Sequence, residues 1–224
     1  MEITWIGQAG LLIETKGKKI LVDPYLSDSV VKVNPRNYRR QPINNAFLEM
    51  QPDILICTHN HLDHLDPETV PHYLNREQSV LVLSPDSCFQ ELKKFGGNHN
   101  YVKFDRHTEW TEGEIHFYSV LADHSDTTPI GVIMDDGDMR IYITGDTLYN
   151  EDIFEDIRQP IDVLFLPING VGNNMNKIDA ARFARKISPK KVVPLHWGMF
   201  DELTPDGMDV ENIVIPQMYQ RIDI

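Results

Sequence analysis

The stretch Ile54-Leu55-Ile56-Cys57-Thr58-His59-Asn60-His61-Leu62-Asp63-His64-Leu65-Asp66-Pro67 decides the reading of this chain. Its first part is a short apolar run of the kind buried in a sheet. Its second part packs three of the protein's nine histidines and two carboxylates into eight residues. Residues two apart in a strand face the same side, so His59 and His61, at the frayed strand end, can reach one ion together. One continuous helix would set them about 200° apart, at about 3.6 residues per turn. The chain must therefore turn, and Asp63 and His64 point back from the turn as a second pair of donors. A polar loop with incidental histidines does not explain five donors directly after a buried strand. Structural zinc sites are usually closed and cysteine-rich, and no thiolate stands among these donors. A metal-dependent enzyme is the reading that follows.

Further donors are expected at later strand ends. His124 follows a strand expected over Ile115 to Leu121, in Ala122-Asp123-His124-Ser125-Asp126. Asp146 follows a strand beginning at Met139, in Thr144-Gly145-Asp146-Thr147. His196 follows a strand over Lys191 to Pro194, in Pro194-Leu195-His196-Trp197-Gly198. Any one of these alone reads as readily as structural. Together with the first cluster they form a convergent rim of seven donors, enough for two ions sharing a carboxylate.

The rest of the chain reads as one α/β domain over residues 1–224. Ile3 to Ile6, Leu11 to Glu14 and Lys19 to Val22 are short strands punctuated by Gly7, Gly10 and Gly17. A long loop from Asp23 to Pro42 and a short helix within Pro42 to Met50 follow. Val80 to Leu83 is a strand. Ser84-Pro85 reads as a helix start, with Ser as cap and Pro in the first turn, and that helix ends near Gly96-Gly97. Asp66-Pro67 reads as another start. Ile130 to Met134 turns through Asp135-Asp136-Gly137-Asp138 into the strand from Met139. Asp162 to Leu166 is a strand. In a helix over Lys177 to Lys186, the apolar side is Ile178, Ala181, Phe183 and Ala184. Two β-then-α halves suggest a layered sandwich.

Composition limits the partners. Of 224 residues 41% are apolar, and 34 acidic against 21 basic residues give a net charge of −13. That charge repels nucleic acid and anionic lipid at long range, so neither is an expected partner. No basic leader and no apolar run near about 18 residues is present, and Cys57 and Cys88 read as reduced core thiols. A cytoplasmic location is the expectation; oligomeric state is not legible.

The order H-x-H-x-D-H, then His124, then Gly145-Asp146-Thr147, then His196 resembles the metallo-β-lactamase superfamily. The resemblance runs from Trp5-Ile6-Gly7-Gln8-Ala9-Gly10 to His196. Gly7-Gln8-Ala9-Gly10, Val22-Asp23-Pro24-Tyr25, Thr58 through His64, His124-Ser125-Asp126, Thr144 through Thr147 and Leu166-Pro167-Ile168-Asn169 look most like the L-ascorbate-6-phosphate lactonase group. The resemblance implies a four-layered αβ/βα sandwich with two metals at one edge. It implies that His59, His61 and His124 hold the first metal, that Asp63, His64 and His196 hold the second, and that Asp146 bridges them. The resemblance further implies that hydroxide shared between the cations attacks a lactone or ester bond of a small metabolite, phosphorylated or not, with Asp63 also moving a proton. Asp23, Asp66 and Asp126 are candidates for orienting the imidazoles, with capping roles equally open. Gln8 is a candidate for the cavity lining, with a turn role equally open. Imidazole and carboxylate suit zinc or manganese, with iron as a third candidate.

Two departures from the longer lactonases bear on the substrate: fewer residues to shape the site, and Asn60 where those proteins often carry Asp. Arg36, Arg39 and Arg40 lie in the most basic stretch of an acidic chain, Asn34 to Arg40. The guanidinium fork matches phosphate and carboxylate, so they are candidates for binding a small anionic metabolite; a solvated loop is the competing reading. Trp197 and Phe200 are candidates for an apolar wall, core packing being the alternative for Phe200. The competing functions are a phosphodiesterase on the same metals and a non-catalytic metal-binding or metabolite-sensing module. Charge disfavours an RNA nuclease, and a flavodiiron oxidoreductase would need a flavin domain.

Overall fold

A computed structural model describes residues 1–224. Two six-stranded mixed sheets face each other. The first runs β1 (Glu2–Gly7), β2 (Gly10–Thr15), β3 (Lys18–Val22), β4 (Ile54–Ile56), β5 (Leu81–Ser84) and β6 (Asn100–Lys103), in that order across the sheet. The second runs in reverse, β12 (Lys191–Leu195), β11 (Val163–Pro167), β10 (Arg140–Ile143), β9 (Ile130–Asp135), β8 (Ile115–Leu121) and β7 (Glu109–Glu112). In the first sheet β1 to β3 are antiparallel and β3 to β6 parallel. In the second, β7 to β10 are antiparallel and β10 to β12 parallel.

Alternation sorts the side chains into layers. Ile54 and Ile56 face the core between the sheets, together with Trp5, Phe117, Ile141 and Phe165. Leu55 and Cys57 face outward, against Tyr73 and Leu74 of α3 (Pro71–Leu74) and Cys88 and Leu92 of α4 (Asp86–Lys93). On the far side, α5 (Lys177–Ile187) buries Ala180, Ala181, Phe183 and Ala184 against Leu164 and Val192. The result is the expected four-layered αβ/βα sandwich. Two further short helices, α1 (Ser29–Val33) and α2 (Ala46–Glu49), lie in the long connection before β4.

Several local expectations are corrected. Ile178 is 73% exposed, because the buried face of α5 begins at Ala180. Asn176 caps that helix, accepting from the N–H groups of Ile178 and Asp179. Ser84 is the last residue of β5 and does not cap α4. The first-turn N–H groups of α4 are met across the fold, Asp86 by Asp105 and Ser87 by Thr128. The helix expected at Pro67 begins instead at Pro71, and Asp66 caps the intervening turn through Glu68 N–H and Thr69 Oγ1. The strands β6 and β7 escaped the pattern reading because both are short edges with exposed polar positions.

The second sheet is pinned behind the site by Asp156, at the end of the 3-10 turn Glu151–Asp156. Its buried carboxylate accepts from Arg106, His107 and the N–H of Leu121. Burial by itself raises the carboxyl, but these bonds win and hold it down at about 2 against an ordinary 3.8. A depressed carboxyl contributes stability that is present above its unfolded value and lost as pH falls through the folded one. Asp156→Asn should therefore cost about 2 kcal/mol at pH 5, and the gap to the wild type should close towards about pH 2. Urea unfolding of both proteins at several pH values checks this; a gap independent of pH would refute it.

Candidate metal centre

All seven predicted donors converge at one end of the sheets. β4 ends at Ile56, and Thr58 and His59 continue it into the space between the layers, wholly buried. The chain then turns, with the N–H groups of His64 and Leu65 both bonded to the His61 carbonyl. That turn brings the His59 ring within 4.6 Å of His61 and 4.0 Å of His64, centroid to centroid. β8 delivers His124, whose centroid lies 4.6 Å from that of His59 and whose Nε2 lies 3.1 Å from His61 Nδ1. β10 delivers Asp146. Gly145 makes that exit possible: its φ is +61°, and a Cβ there would lie 2.8 Å from the Ile130 carbonyl. β12 delivers His196, itself in the left-handed region at φ 61°.

The donors fall into three overlapping groups: His59 with His61 and His124; His59 with His64 and Asp146; Asp63 with His64 and His196. In each group the donor atoms lie within 4.8 Å of one another. Asp146 touches both sides. Its Oδ1 is 3.3 Å from His64 Nε2, and its Oδ2 is 3.2 Å from His196 Nε2 and 3.9 Å from His124 Nε2. Asp63 Oδ2 is 3.2 Å from His196 Nε2.

Neighbouring side chains hold several of these donors in place. Asp23, fully buried at φ 43°, accepts from His64 Nδ1 at 2.8 Å, from Thr58 N–H at 2.8 Å and from Thr58 Oγ1 at 2.5 Å. It therefore orients an imidazole directly. Asp66 and Asp126 do not: Asp66 caps its turn, and Asp126 accepts from Asn60 N–H and Ser87 Oγ. Gln8, at φ 51°, donates to Asp63 Oδ2 at 2.8 Å and also approaches the His196 ring. Asn174, absent from the sequence reading, donates to Asp146 Oδ2 at 2.7 Å. Its only advance signal was the polar run Asn173-Asn174-Met175-Asn176 after β11. His124 Nδ1 faces the Asn173 carbonyl at 3.1 Å. Left-handed backbone at Gln8, Asp23 and His196 is held in place by this surrounding structure.

Three buried atoms make no regular hydrogen bond: His59 Nε2, His64 Nε2 and Asp146 Oδ1, the last two facing each other at 3.3 Å. They belong to a single donor group. Buried polar atoms are rarely left so, and three nitrogen and oxygen atoms within 4.8 Å of one another fit the donor set of a cation. The electrostatics agree. Burial pushes the His59 imidazole well down, and the neighbouring His64 adds to this, leaving a neutral ring. Burial lowers His64 and His196 too, but the Asp146 carboxylate, with Asp23 beside His64 and Asp63 beside His196, outweighs it. His64 is held well up, and His196 is held at about 10. Asp146 is held well down by His196 and His64 against the effect of its burial. A cation at this point takes the place of those ring protons.

The family profile described as a beta-lactamase superfamily domain matches residues 2–196. The chain belongs to the beta-lactamase superfamily. It is 28% identical to a UPF0173 metal-dependent hydrolase of Lysinibacillus sphaericus, across 96% of this chain and 92% of the relative. It is 31% identical to a UPF0173 metal-dependent hydrolase of an Exiguobacterium species, across 92% and 90%. Its fold is similar to that of an isothiocyanate hydrolase from Delia radicum gut bacteria, with a TM-score of 0.76, 21% identity, and coverage of 100% and 99%. No helix is long and apolar enough to cross a membrane.

In this superfamily member four of the donors, His61, Asp63, Asp146 and His196, open onto a cavity of about 700 Å³. Gln8 lines it, as the sequence suggested, and so does Phe200. Trp197 instead packs on Trp5 at 5.0 Å, next to the inter-sheet core. None of Arg36, Arg39 and Arg40 lines the cavity; from that loop Asn37 does. Arg36 is exposed. Arg39 donates to the Tyr25 carbonyl and to Tyr219 Oη, both at 3.0 Å, and Arg40 donates to the Phe200 carbonyl. These two arginines clasp the loop to the chain after β12. Arg39→Ala should therefore lower stability by about 1–3 kcal/mol, the cost of freeing those acceptors, and leave KM unchanged. Unfolding curves beside initial rates check it; a raised KM with intact stability would return Arg39 to substrate recognition.

Proposed function

We propose that this protein is a dinuclear metal-dependent hydrolase acting on a lactone or ester of a small metabolite. The observation that carries the proposal is the trio of buried atoms without a regular hydrogen bond, His59 Nε2, His64 Nε2 and Asp146 Oδ1, at the meeting point of the three donor groups. His59, His61 and His124 would hold one cation and Asp63, His64 and His196 the other, with Asp146 between them. When bound, the two cations supply a lowered water pKa and a polarised carbonyl. The side chains supply the rest. Asp23 fixes His64 by its Nδ1 and leaves Nε2 free for the centre. Gln8 and Asn174 tie one oxygen each of Asp63 and Asp146. Asp63, at the cavity wall, is placed to accept a proton and pass it to the leaving group.

The all-nitrogen-and-oxygen donor set supports zinc or manganese, with iron the third choice. The chain is read as one domain over residues 1–224, because residues after β12 return to pair with β1 through the N–H and carbonyl groups of Trp5 and Ile3. Its two buried free thiols suit a cytoplasmic location. An anionic, phosphorylated substrate is not carried forward, since the arginines that suggested it lie outside the cavity.

Metal analysis after purification and after titration with zinc or manganese tests the centre. Two ions per chain are expected; fewer than one, without uptake, sinks the proposal. The names of the UPF0173 relatives support hydrolysis without naming a bond. Bis-p-nitrophenyl phosphate beside a set of lactones and carboxylic esters separates the second reading, a phosphodiesterase. Turnover of the phosphodiester alone would establish that reading instead.

A further inference from the structure

The cavity wall carries information about the substrate that the metal donors do not. Apart from the donors, the wall combines apolar Val30, Val171, Phe200 and Leu203 with uncharged polar side chains, Asn37, Ser125 and Asn169 among them. No lysine or arginine lines it. Asp201 is the one charged side chain of the wall outside the donor set, and it is a carboxylate. Its Oδ1 accepts from the N–H groups of Gly198 and Leu203, which fixes it there. The Oδ1 atoms of Asn169 and Asn174 are buried acceptors with no donor. The two nearest guanidinium groups of the loop are committed to Tyr25, Tyr219 and Phe200.

We infer that the cavity selects an uncharged substrate, a lactone or ester whose body is aliphatic and carries no phosphate or carboxylate. The inference rests on the hydrolytic reading above and names the substrate class for that site. The reacting carbonyl is served by the centre, so the rest of the substrate lies along the wall. An anionic group there would lose its hydration and meet a carboxylate, neutral amides, one hydroxyl and apolar surface, with no cationic side chain to offset the burial of charge. The field of the whole chain, at net −13, opposes it as well. An alkyl body gains instead, since Val171 stands 63% exposed at the wall and would be covered by it.

A matched pair of esters tests this on the metal-loaded enzyme. p-Nitrophenyl hexanoate and the mono-p-nitrophenyl ester of adipic acid have acyl chains of equal length and differ in a terminal carboxylate. The hexanoate should be hydrolysed with kcat/KM at least about 100-fold higher, a difference equivalent to about 2.7 kcal/mol. Equal values, or preference for the adipate, overturn the inference while leaving the hydrolase standing. Hydrolysis of neither ester brings down the hydrolytic reading and the inference with it. Val171→Lys adds a cation at an exposed position that the fold tolerates. It should shrink the preference about 10-fold or more by raising adipate turnover, and an unchanged ratio would show that the wall does not set the selection.

Discussion

Asp146→Asn is expected to lower kcat/KM by roughly 10³-fold or more and to reduce bound metal below two ions per chain. Asp146 reaches both halves of the centre, its Oδ2 lying 3.9 Å from His124 Nε2 on one side and 3.2 Å from His196 Nε2 on the other. The amide keeps the shape but removes the negative charge that, on the proposed reading, would offset two cations. Part of the transition-state stabilisation that bound cations would supply would then be lost, and about 4 kcal/mol corresponds to roughly 10³ in rate. Asn174 adds to the effect, because its Nδ2 donates to Asp146 Oδ2 and would face an amide that has one acceptor in place of two. Circular dichroism should show the fold retained, since Asp146 leaves the end of β10 and no ladder bond depends on its side chain. Full metal content with activity within a few-fold of wild type would remove Asp146 from the centre.

Asp23→Ala should be the most destabilising single change at the site, by about 3–5 kcal/mol. Its carboxylate is wholly buried and satisfies three donors: Thr58 N–H, Thr58 Oγ1 and His64 Nδ1. Alanine strands all three and must also adopt φ 43°, a conformation that costs side chains about 1–2 kcal/mol. Because His64 loses the group that aims it, metal affinity should fall about 10–100-fold in the same variant. Asp23→Asn tolerates the left-handed backbone and returns one acceptor, so it should recover part of the stability and little of the affinity. Urea unfolding of the metal-free proteins, set beside chelator competition of the loaded ones, separates the two effects. A loss under about 1 kcal/mol with unchanged affinity would show that Asp23 neither supports β4 nor orients His64.

The two variants differ in how visible their residues were beforehand. Asp146 was legible because a glycine, an aspartate and a threonine end a β-branched run, and a strand end is where a side chain can leave the sheet. Asp23 was legible as a candidate, on equal terms with Asp66 and Asp126. Only contacts across the fold separated them: Asp23 reaches His64, 41 residues on, while Asp66 turns back on Thr69 within its own turn. Ile178 misled for a local reason. It fits a helical apolar stripe, but α5 meets the second sheet along Ala180 and Phe183, and no rule of periodicity says which way a short helix is rolled.

The arginine loop marks the same boundary for function. Three guanidinium groups in an acidic chain were plain to read, and their chemistry matches an anion. Their partners were not readable, because the Met199 and Phe200 carbonyls, which hold Arg40, lie some 160 residues further on. By itself the sequence determined the candidate donors and their order along the strands, since alternate residues in a β-strand share a face and a strand end is a place where side chains converge. Tertiary structure alone decided what surrounds the donors. A cavity wall is made of side chains contributed by remote loops, and whether a charge faces the cavity or is neutralised behind it depends on which acceptors folding brings within hydrogen-bond reach.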